Sequence, residues 1–429
     1  MLRDRRLLAL LAAETISTTG AQMTWLALPW FVLVTTGSAT RTSFVVAAEL
    51  VGLALLGLPG GRLLGALGAR RTMIVCDTAR APLMLVIPLL HWSGGLSFAV
   101  LLAVAFSLGA FSAPYFAAQK VIVPELLGEE EKQVAEANAL FQAATRTTLL
   151  AGPVLAGILI GAIGATSVLL IDAATYVVSV LLVTAFVPAR APVERAPEHR
   201  QIRAGLRFLA RDRLLRVWWP AFALGDAAWT AFFVTVPVLV LDRFGHKPGI
   251  AGWLFASFGV GAVIGNAISY RFLTRRLDGL TIFAAFIVIQ VLPLWLLWLP
   301  LPAAALSAVL LVSGIGNGLV NPSLHAISTL RIPEPMRPTV MTTVMVLWAL
   351  VNPLGVFVAG PVLDAFGTTP VLIGYATVQT LTMTAAASVA LRERVRQRAS
   401  TPLVPEPPLS AASLAMPPEG RGGSAAATD

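Results

Sequence analysis

Charged residues are scarce in this 429-residue chain, at 12% of the total. That is too few to give a globule of this size a water-compatible coat. Cysteine is almost absent, and the single Cys76 excludes an internal disulfide. The four histidines, His91, His199, His246 and His325, fall in separate segments and offer no metal cluster. There is no Gly-x-x-x-x-Gly-Lys-Ser/Thr phosphate loop, no His-Glu-x-x-His zinc pair and no Gly-x-Ser-x-Gly elbow. These absences exclude ATP as a direct energy source for this chain alone and leave no convergent catalytic groups, so the chain reads as a non-enzyme.

What fills the space is apolar. Hydrophobic residues make up 57% of the chain and the mean hydropathy is +0.79. Runs of roughly 20 apolar residues recur from end to end, each long enough to cross a hydrocarbon layer of about 30 Å as a helix. Barrel strands would alternate in segments of about 10 residues, and no such pattern occurs. The first run, Leu7 to Thr35, is too long for a signal-peptide core and lacks a small-residue cleavage site, so it is expected to stay as the first span. Punctuation by Pro, Gly and charge places twelve helices near 7–35, 42–66, 72–92, 95–120, 139–163, 166–187, 216–240, 249–272, 279–299, 303–328, 339–363 and 369–391.

The formal net charge of +9 follows topology and does not signal nucleic acid. With the N-terminus cytoplasmic, nearly all of the 31 basic residues fall on the inner side. Eight arginines from Arg190 to Arg216 form the largest group, while only Arg41, Arg243 and Lys247 lie outside and Arg80 and Arg146 lie within spans. Both termini are therefore expected in the cytoplasm, with the chain in a bacterial inner membrane. Residues 1–187 form the first six-helix bundle and 188–215 a cytoplasmic linker with a helical stretch around Arg203–Arg213. Residues 216–392 form the second bundle, and 393–429, rich in Pro, Ala, Ser and Gly, read as a disordered cytoplasmic tail.

An internal repeat supports the two bundles. Shifting the chain by 203 positions pairs Gly152 with Gly355, Ala156 with Ala359, Gly157 with Gly360, Ala162 with Ala365, Gly164 with Gly367 and Thr166 with Thr369. Val123-Pro124-Glu125 finds a counterpart in Ile332-Pro333-Glu334, and Arg70-Arg71 one in Arg275-Arg276. Single matches between small residues mean little, but these are collinear.

Several stretches resemble the major facilitator superfamily, and within it the bacterial drug and siderophore exporters that include macrolide-efflux and enterobactin-export proteins. The resemblance covers about residues 5–395. It is carried by Gly20-Ala21-Gln22, Asp77-x-x-Arg80-Ala81, Gly109-Ala110-Phe111-Ser112-Ala113-Pro114, Asn138-Ala139-Leu140, Gly152-Pro153 with Gly157, and Ile332-Pro333 through Arg337. It implies two pseudo-symmetric bundles of six helices, a substrate site between them and alternating access by rocking. Two departures stand out. The loop after the second helix, where the family has an acid followed by arginine, reads Gly65-Ala66 ahead of Arg70-Arg71, so the usual cytoplasmic latch is absent or rebuilt. Ala156-Gly157 stands where an antiporter signature has Gly-Gly.

Ionised groups at membrane depth need a partner or a wet cavity. Glu14 and Arg146 lie equally deep in two helices that line the cavity of the resembled fold, and are expected to pair; the pair is either a proton carrier or a permanent structural bridge. Glu49 and Asp226 are alternative proton sites without an obvious partner, or simply neutral carboxyls. Asp172 reads as interfacial. Asp77 and Arg80, one turn apart, suit a gate or packing role, as do Arg70, Arg71, Gly152, Pro153 and Gly157. His325 is either a titrating group or a satisfied structural one. Trp25, Trp30, Phe31, Trp229, Phe232, Phe233, Trp253 and Trp348 sit on helices expected to line the cavity and would suit an aromatic or cationic substrate, or belong to core and membrane belt.

The sequence thus points to a secondary transporter working as a monomer. It exports small amphipathic compounds on the proton gradient, with no bound cofactor and no nucleic-acid partner. A siderophore, lipid or metabolite carrier is the alternative within transport, and a non-transporting membrane sensor the alternative outside it.

Overall fold

A computed structural model of the chain describes residues 4–127, 131–189 and 202–400. These form thirteen α-helices: α1 (Arg5–Thr36), α2 (Ala39–Leu67), α3 (Ala69–Trp92), α4 (Phe98–Leu127), α5 (Glu131–Ile163), α6 (Ala165–Phe186), α7 (Ile202–Arg211), α8 (Leu215–Phe244), α9 (Pro248–Ile268), α10 (Gly279–Val291), α11 (Ala303–Leu330), α12 (Arg337–Phe366) and α13 (Thr368–Ser400). Twelve are the long helices of an all-helical membrane protein; α7 is short and lies in the segment read as the linker. Ten helices are long and apolar enough to span a membrane by composition alone. The helices α1 and α13 fall short of that mark: α1 carries Thr, Ser and Gln in its middle, and α13 carries Thr and Gln and ends in a run of arginines.

Six helices pack on each side of a pseudo-twofold relation: α1–α6 in one half, α8–α13 in the other. Tight turns carry the symmetry. Gly164 (φ 83°) joins α5 to α6 and Gly367 (φ 75°) joins α12 to α13, at the 203-residue spacing of the repeat. Left-handed backbone at both positions requires glycine. Twelve alternating spans return the chain to the face where it starts, called here the termini face; the opposite one is the far face.

The structure departs from several expected boundaries: α4 runs on to Leu127 and α5 starts at Glu131, seven and eight residues beyond the expected 120 and 139. The α-helix of α10 stops at Val291, because Pro293 cannot continue the hydrogen-bond ladder and opens a 3-10 turn, Pro293–Leu296. Helix α9 runs on through a π turn at Ser269–Leu273. Helix α13 continues to Ser400, past Arg392 where the second bundle was expected to end. The rest of the expected tail, 401–429, and linker residues 190–201 lie outside the described residues.

Packing is closest where glycine removes the Cβ. Along α9 and α11, Gly261 and Gly265 lie against the Leu311 and Ile315 carbonyls, and Gly314 and Gly318 against those of Phe258 and Ala262. Small residues at such crossings let helices associate where lipid offers no hydrophobic driving force. At the termini face the second half is tied by charge. Arg331 donates from Nε to Asp212 and from Nη2 to Glu393, both at 2.7 Å. Asp212 also accepts from the Leu214 and Leu215 amides at the start of α8. One cation thereby fastens α8, α11 and α13. Partial burial pulls the Arg331 pKa down, but the two carboxylates outweigh it and hold the value above an arginine's usual one. Replacing Arg331 with Ala is expected to cost about 2 kcal/mol, read as a lower midpoint of thermal unfolding in detergent; an unchanged midpoint would show the triad to be energetically idle.

Candidate functional site

Most charge at membrane depth gathers in the first half, on faces of α1, α2, α3, α4 and α6 that point at one another. Asp77 and Arg80, one turn apart on α3, form a buried ion pair between Asp77 Oδ1 and Arg80 Nη2. Arg80 also meets Ser112 Oγ at 3.4 Å. Its guanidinium lies 4.3 Å from the Tyr115 ring centre and 4.4 Å from that of Tyr176. Desolvated cation–π contacts of this kind contribute about 2 kcal/mol. Asp172 is fully buried here, which corrects the interfacial reading. Helix α6 crosses α1 at Gly20, in the direction of Asp172 and Thr175, and Asp172 accepts from Thr24 at 2.5 Å and Thr175 at 3.2 Å. Glu49 stands on the α2 wall of the same cluster, within electrostatic reach of Arg80 and Asp172. Beside these groups is a small cavity open to solvent, bounded by Trp25, Glu49, Arg80 and Tyr115.

Glu14 and Arg146 do not pair. Glu14 is 7% exposed and hydrogen-bonds Gln119 of α4. The reason is helix phase. Helix α5 meets α1 through Gly152, which lies against Gln22, and six residues earlier the side-chain direction has turned by about 120°. Arg146 instead heads the stripe 146, 150, 153, 157 that faces the other half, where Leu150 meets Gly259, Pro153 meets Gly252, and Gly157 meets Pro248 and Gly249. Arg146 is exposed to the cleft and its charge reaches His325 on α11. The Gly152-Pro153 block and Gly157 thus bring backbones together, between α1 and α5 and across the halves.

The second half offers a milder counterpart. Asn352 of α12 donates to Asp226 of α8 at 3.0 Å, so Asp226 has the partner the sequence left unnamed. Gln379 of α13 donates to the Gly225 carbonyl at 2.8 Å. The aromatic residues divide by position. Trp25 meets Phe233 edge-on at 5.5 Å across the halves, and Phe233 stacks on Phe255 at 4.5 Å. Trp348 is one turn before Asn352 on the same face and is exposed, beside the cleft. Trp30 and Phe31 are buried core. Trp229 and Phe232 pack with Phe258 and Tyr375 inside the second half. Trp253 is 59% exposed on a stripe with Val260 and Ile264, which faces away from the cleft and suits the lipid.

The halves are joined toward the far face. Leu33 and Ala39 pack with Val238, Ala359 and Leu363, and Val46, Ala47 and Leu50 with Val234 and Val356. Above them Asp364, in the last turn of α12, accepts from Ser38 Oγ at 2.8 Å and from the Ala39 and Thr40 amides at 2.7 and 3.0 Å. A carboxylate from one half thus caps the N-terminus of a helix in the other, where the helix dipole favours negative charge. On the termini face the arginine contacts stay within a half: Arg70 binds the Val187 and Thr184 carbonyls at the end of α6, while Arg71 is exposed and Gly65 faces open space. Among the described residues, these cross-half contacts fasten the halves toward the far face.

Asp364, Tyr115 and Gln119 carry no mark of a role in the sequence. Asp364 is a single acid at a helix end, and only the cross-half geometry gives it a role. Tyr115 and Gln119 sit inside an apolar run whose internal face cannot be read without the packing.

Two outcomes follow from these contacts. Asp77→Ala strands Arg80 without its counter-charge and is expected to cost about 3–5 kcal/mol, while Asp77→Ala with Arg80→Leu recovers most of it; equal melting of the two variants in detergent would contradict the pairing. Asp364→Ala is expected to weaken far-face closure by about 1 kcal/mol, roughly fivefold in population. Spin labels at Arg41 and Phe366 should then report a larger share of long distances, and an unchanged distribution would remove Asp364 from the closure.

Comparison with known proteins agrees with this architecture. The family model of the Major Facilitator Superfamily matches residues 10–356. Among curated relatives, the chain is 26% identical over 376 residues to the multidrug efflux pump Tap of Mycolicibacterium fortuitum, covering 84% of this chain and 90% of that protein. It is 24% identical to Tap of Mycobacterium tuberculosis H37Rv, covering 83% and 87%. Among solved structures, the nucleoside transporter NupG aligns with a TM-score of 0.72 at 12% identity, over 90% of this chain and 98% of that one. A bacterial homologue of the human lysosomal transporter Spinster, in an inward-facing unoccupied conformation, aligns with a TM-score of 0.67 at 14% identity, over 91% and 95%.

Proposed function

The chain belongs to the Major Facilitator Superfamily and is a multi-pass membrane transporter rather than an enzyme; on that premise we propose that it exports small amphipathic compounds, in the manner named for the Tap pumps, by proton-coupled alternating access. The observation that carries this reading is the interface between two six-helix halves, fastened toward the far face, with carboxylates at membrane depth on both sides of it. Glu49 stands on α2 beside the cavity of the first half, and Asp226 on α8 is held by Asn352. A carboxylate there can take a proton from one side and release it to the other as the halves rock. The energy source is the proton gradient, with no bound cofactor. The termini face is cytoplasmic, a reading the arginine distribution supports, and the membrane is the bacterial inner membrane. In this orientation the cargo is taken from the cytoplasm or inner leaflet. The protein works as a monomer and has no nucleic-acid partner.

The test is dye accumulation in cells stripped of their own pumps. Expression should lower steady-state dye and a proton uncoupler should restore it. Glu49→Gln and Asp226→Asn should each slow gradient-driven efflux at least about tenfold, the rate equivalent of about 1.4 kcal/mol. Efflux that ignores the uncoupler would refute proton coupling, and no efflux at all would refute export.

A further inference from the structure

Helix α7 is 10 residues long, too short for an isolated helix to be stable in water, and its charges oppose it further. Arg203, Arg207 and Arg211 follow one another at four-residue intervals, where like charges repel. The first turn holds Arg203 and no acid, against the positive end of the helix dipole. Docking supplies one compensation. Gly205 and Leu209 are buried: Gly205 lies against the Thr343 side chain and the Thr339 carbonyl of α12, and Leu209 packs with Leu215, Ile332 and Val340. At about 100° per residue the three arginines fan over about 80° of the helix, on the side away from that buried pair, and all three are exposed. Leu206, 41% exposed, borders them. Arg213 and Arg216 follow, also exposed. The one acid between Arg203 and Arg216 is Asp212, which is already bound to Arg331 and to the Leu214 and Leu215 amides. Among the described residues none of these five arginines forms a salt bridge.

We propose that the exposed face of α7 is a docking surface for anionic phospholipid, with headgroup phosphates accepting from Arg203, Arg207 and Arg211 and Leu206 entering the acyl boundary beside them. Position selects the membrane over a soluble partner. Only residues 212–214 separate α7 from the span α8, and its dock is on the first two turns of the span α12, so the helix lies where both spans enter the bilayer. An apolar residue bordering a basic stripe suits a helix lying in the membrane interface, whereas a soluble anion leaves Leu206 in water. Each arginine near an anionic surface strengthens binding about fivefold, and the headgroup charge offsets the repulsion along the stripe. The surface depends neither on export nor on proton coupling; only its assignment to the cytoplasmic leaflet rests on the orientation proposed above. Helix α12 meets α2 of the other half where Val356 packs with Val46 and Leu50. A headgroup on α7 therefore bears on a helix that joins the halves.

The experiment is native mass spectrometry of the full chain in uncharged detergent, titrated with phosphatidylglycerol or with zwitterionic phosphatidylcholine. The wild type is expected to bind its first phosphatidylglycerol at least about tenfold more tightly than phosphatidylcholine. Arg207→Gln should lower that preference about fivefold, and Arg203→Gln, Arg207→Gln and Arg211→Gln together should erase most of it. The control combines Arg271→Gln, Arg275→Gln and Arg276→Gln, which removes the same charge from the α9–α10 connection, and should keep the preference within about twofold of wild type. Leu206→Gln should weaken phosphatidylglycerol, and the melting midpoints of all variants should stay near wild type. No preference in the wild type, or equal losses in the two triple variants, would overturn the surface in favour of diffuse charge. Displacement of the lipid by equimolar inorganic phosphate or polyglutamate would overturn it in favour of a soluble anion or an acidic protein. Lipid preference without dye efflux would sustain the surface and refute export, and efflux without the preference would do the reverse.

Discussion

A guanidinium cannot stand unpaired at membrane depth, and much of the first half is arranged around that constraint at Arg80. Helix α3 supplies the counter-charge one turn away, α4 supplies Ser112 and the Tyr115 ring, and α6 supplies the Tyr176 ring. Each neighbour that stabilises the charge also fixes the distance between two helices. Asp172 extends the network to α1 through Thr24. The result is a bundle whose interior is polar by design of its packing, in a chain with few charges to spend. Removing one partner of such a pair costs far more than removing both, so Asp77 and Arg80 stand or fall together.

The two halves share a backbone plan but not this chemistry. The repeat preserves the glycine turns at Gly164 and Gly367 and the crossings of α2 with α4 and α9 with α11. The polar interior is not repeated: the second half holds Asp226 with neutral amides, Asn352 and Gln379, and places its arginine cluster at the termini face. Backbone geometry is what pseudo-symmetric rocking requires. Side-chain chemistry is free to differ, so one half can hold charge while the other offers a neutral, adaptable surface.

How far the sequence could be read follows the same division. Twelve spans, two bundles, the short linker helix and the correspondence of Gly164 with Gly367 were legible because hydropathy and the 203-residue repeat are local or collinear signals. The Asp77–Arg80 pair was legible because the two residues lie one turn apart on one helix. The expected Glu14–Arg146 pair was equal in depth but wrong in phase, since depth comes from counting residues while direction comes from the contact at Gly152. Asp172 was misplaced for a related reason: its position near a helix start suggested the membrane surface, and only the crossing at Gly20 shows it enclosed. Trp253 shows the limit for aromatics, because composition cannot tell a cleft-facing ring from a lipid-facing one.

The cross-half contacts also have a mechanical consequence. At the far face Asp364 of one half caps α2 of the other, above two apolar contact layers. At the termini face Arg70 is spent on carbonyls of its own half, and Gly65 occupies the place where related proteins carry a latching acid. The same α2 that ends at the Asp364 cap carries Glu49 eleven residues further along, about 16 Å down a continuous helix. A rigid helix cannot tilt at its end without moving its middle. Freeing Asp364 from the α2 N-terminus therefore displaces the Glu49 wall of the cavity, and a change in what Glu49 binds bears on the far-face closure through one mechanical element.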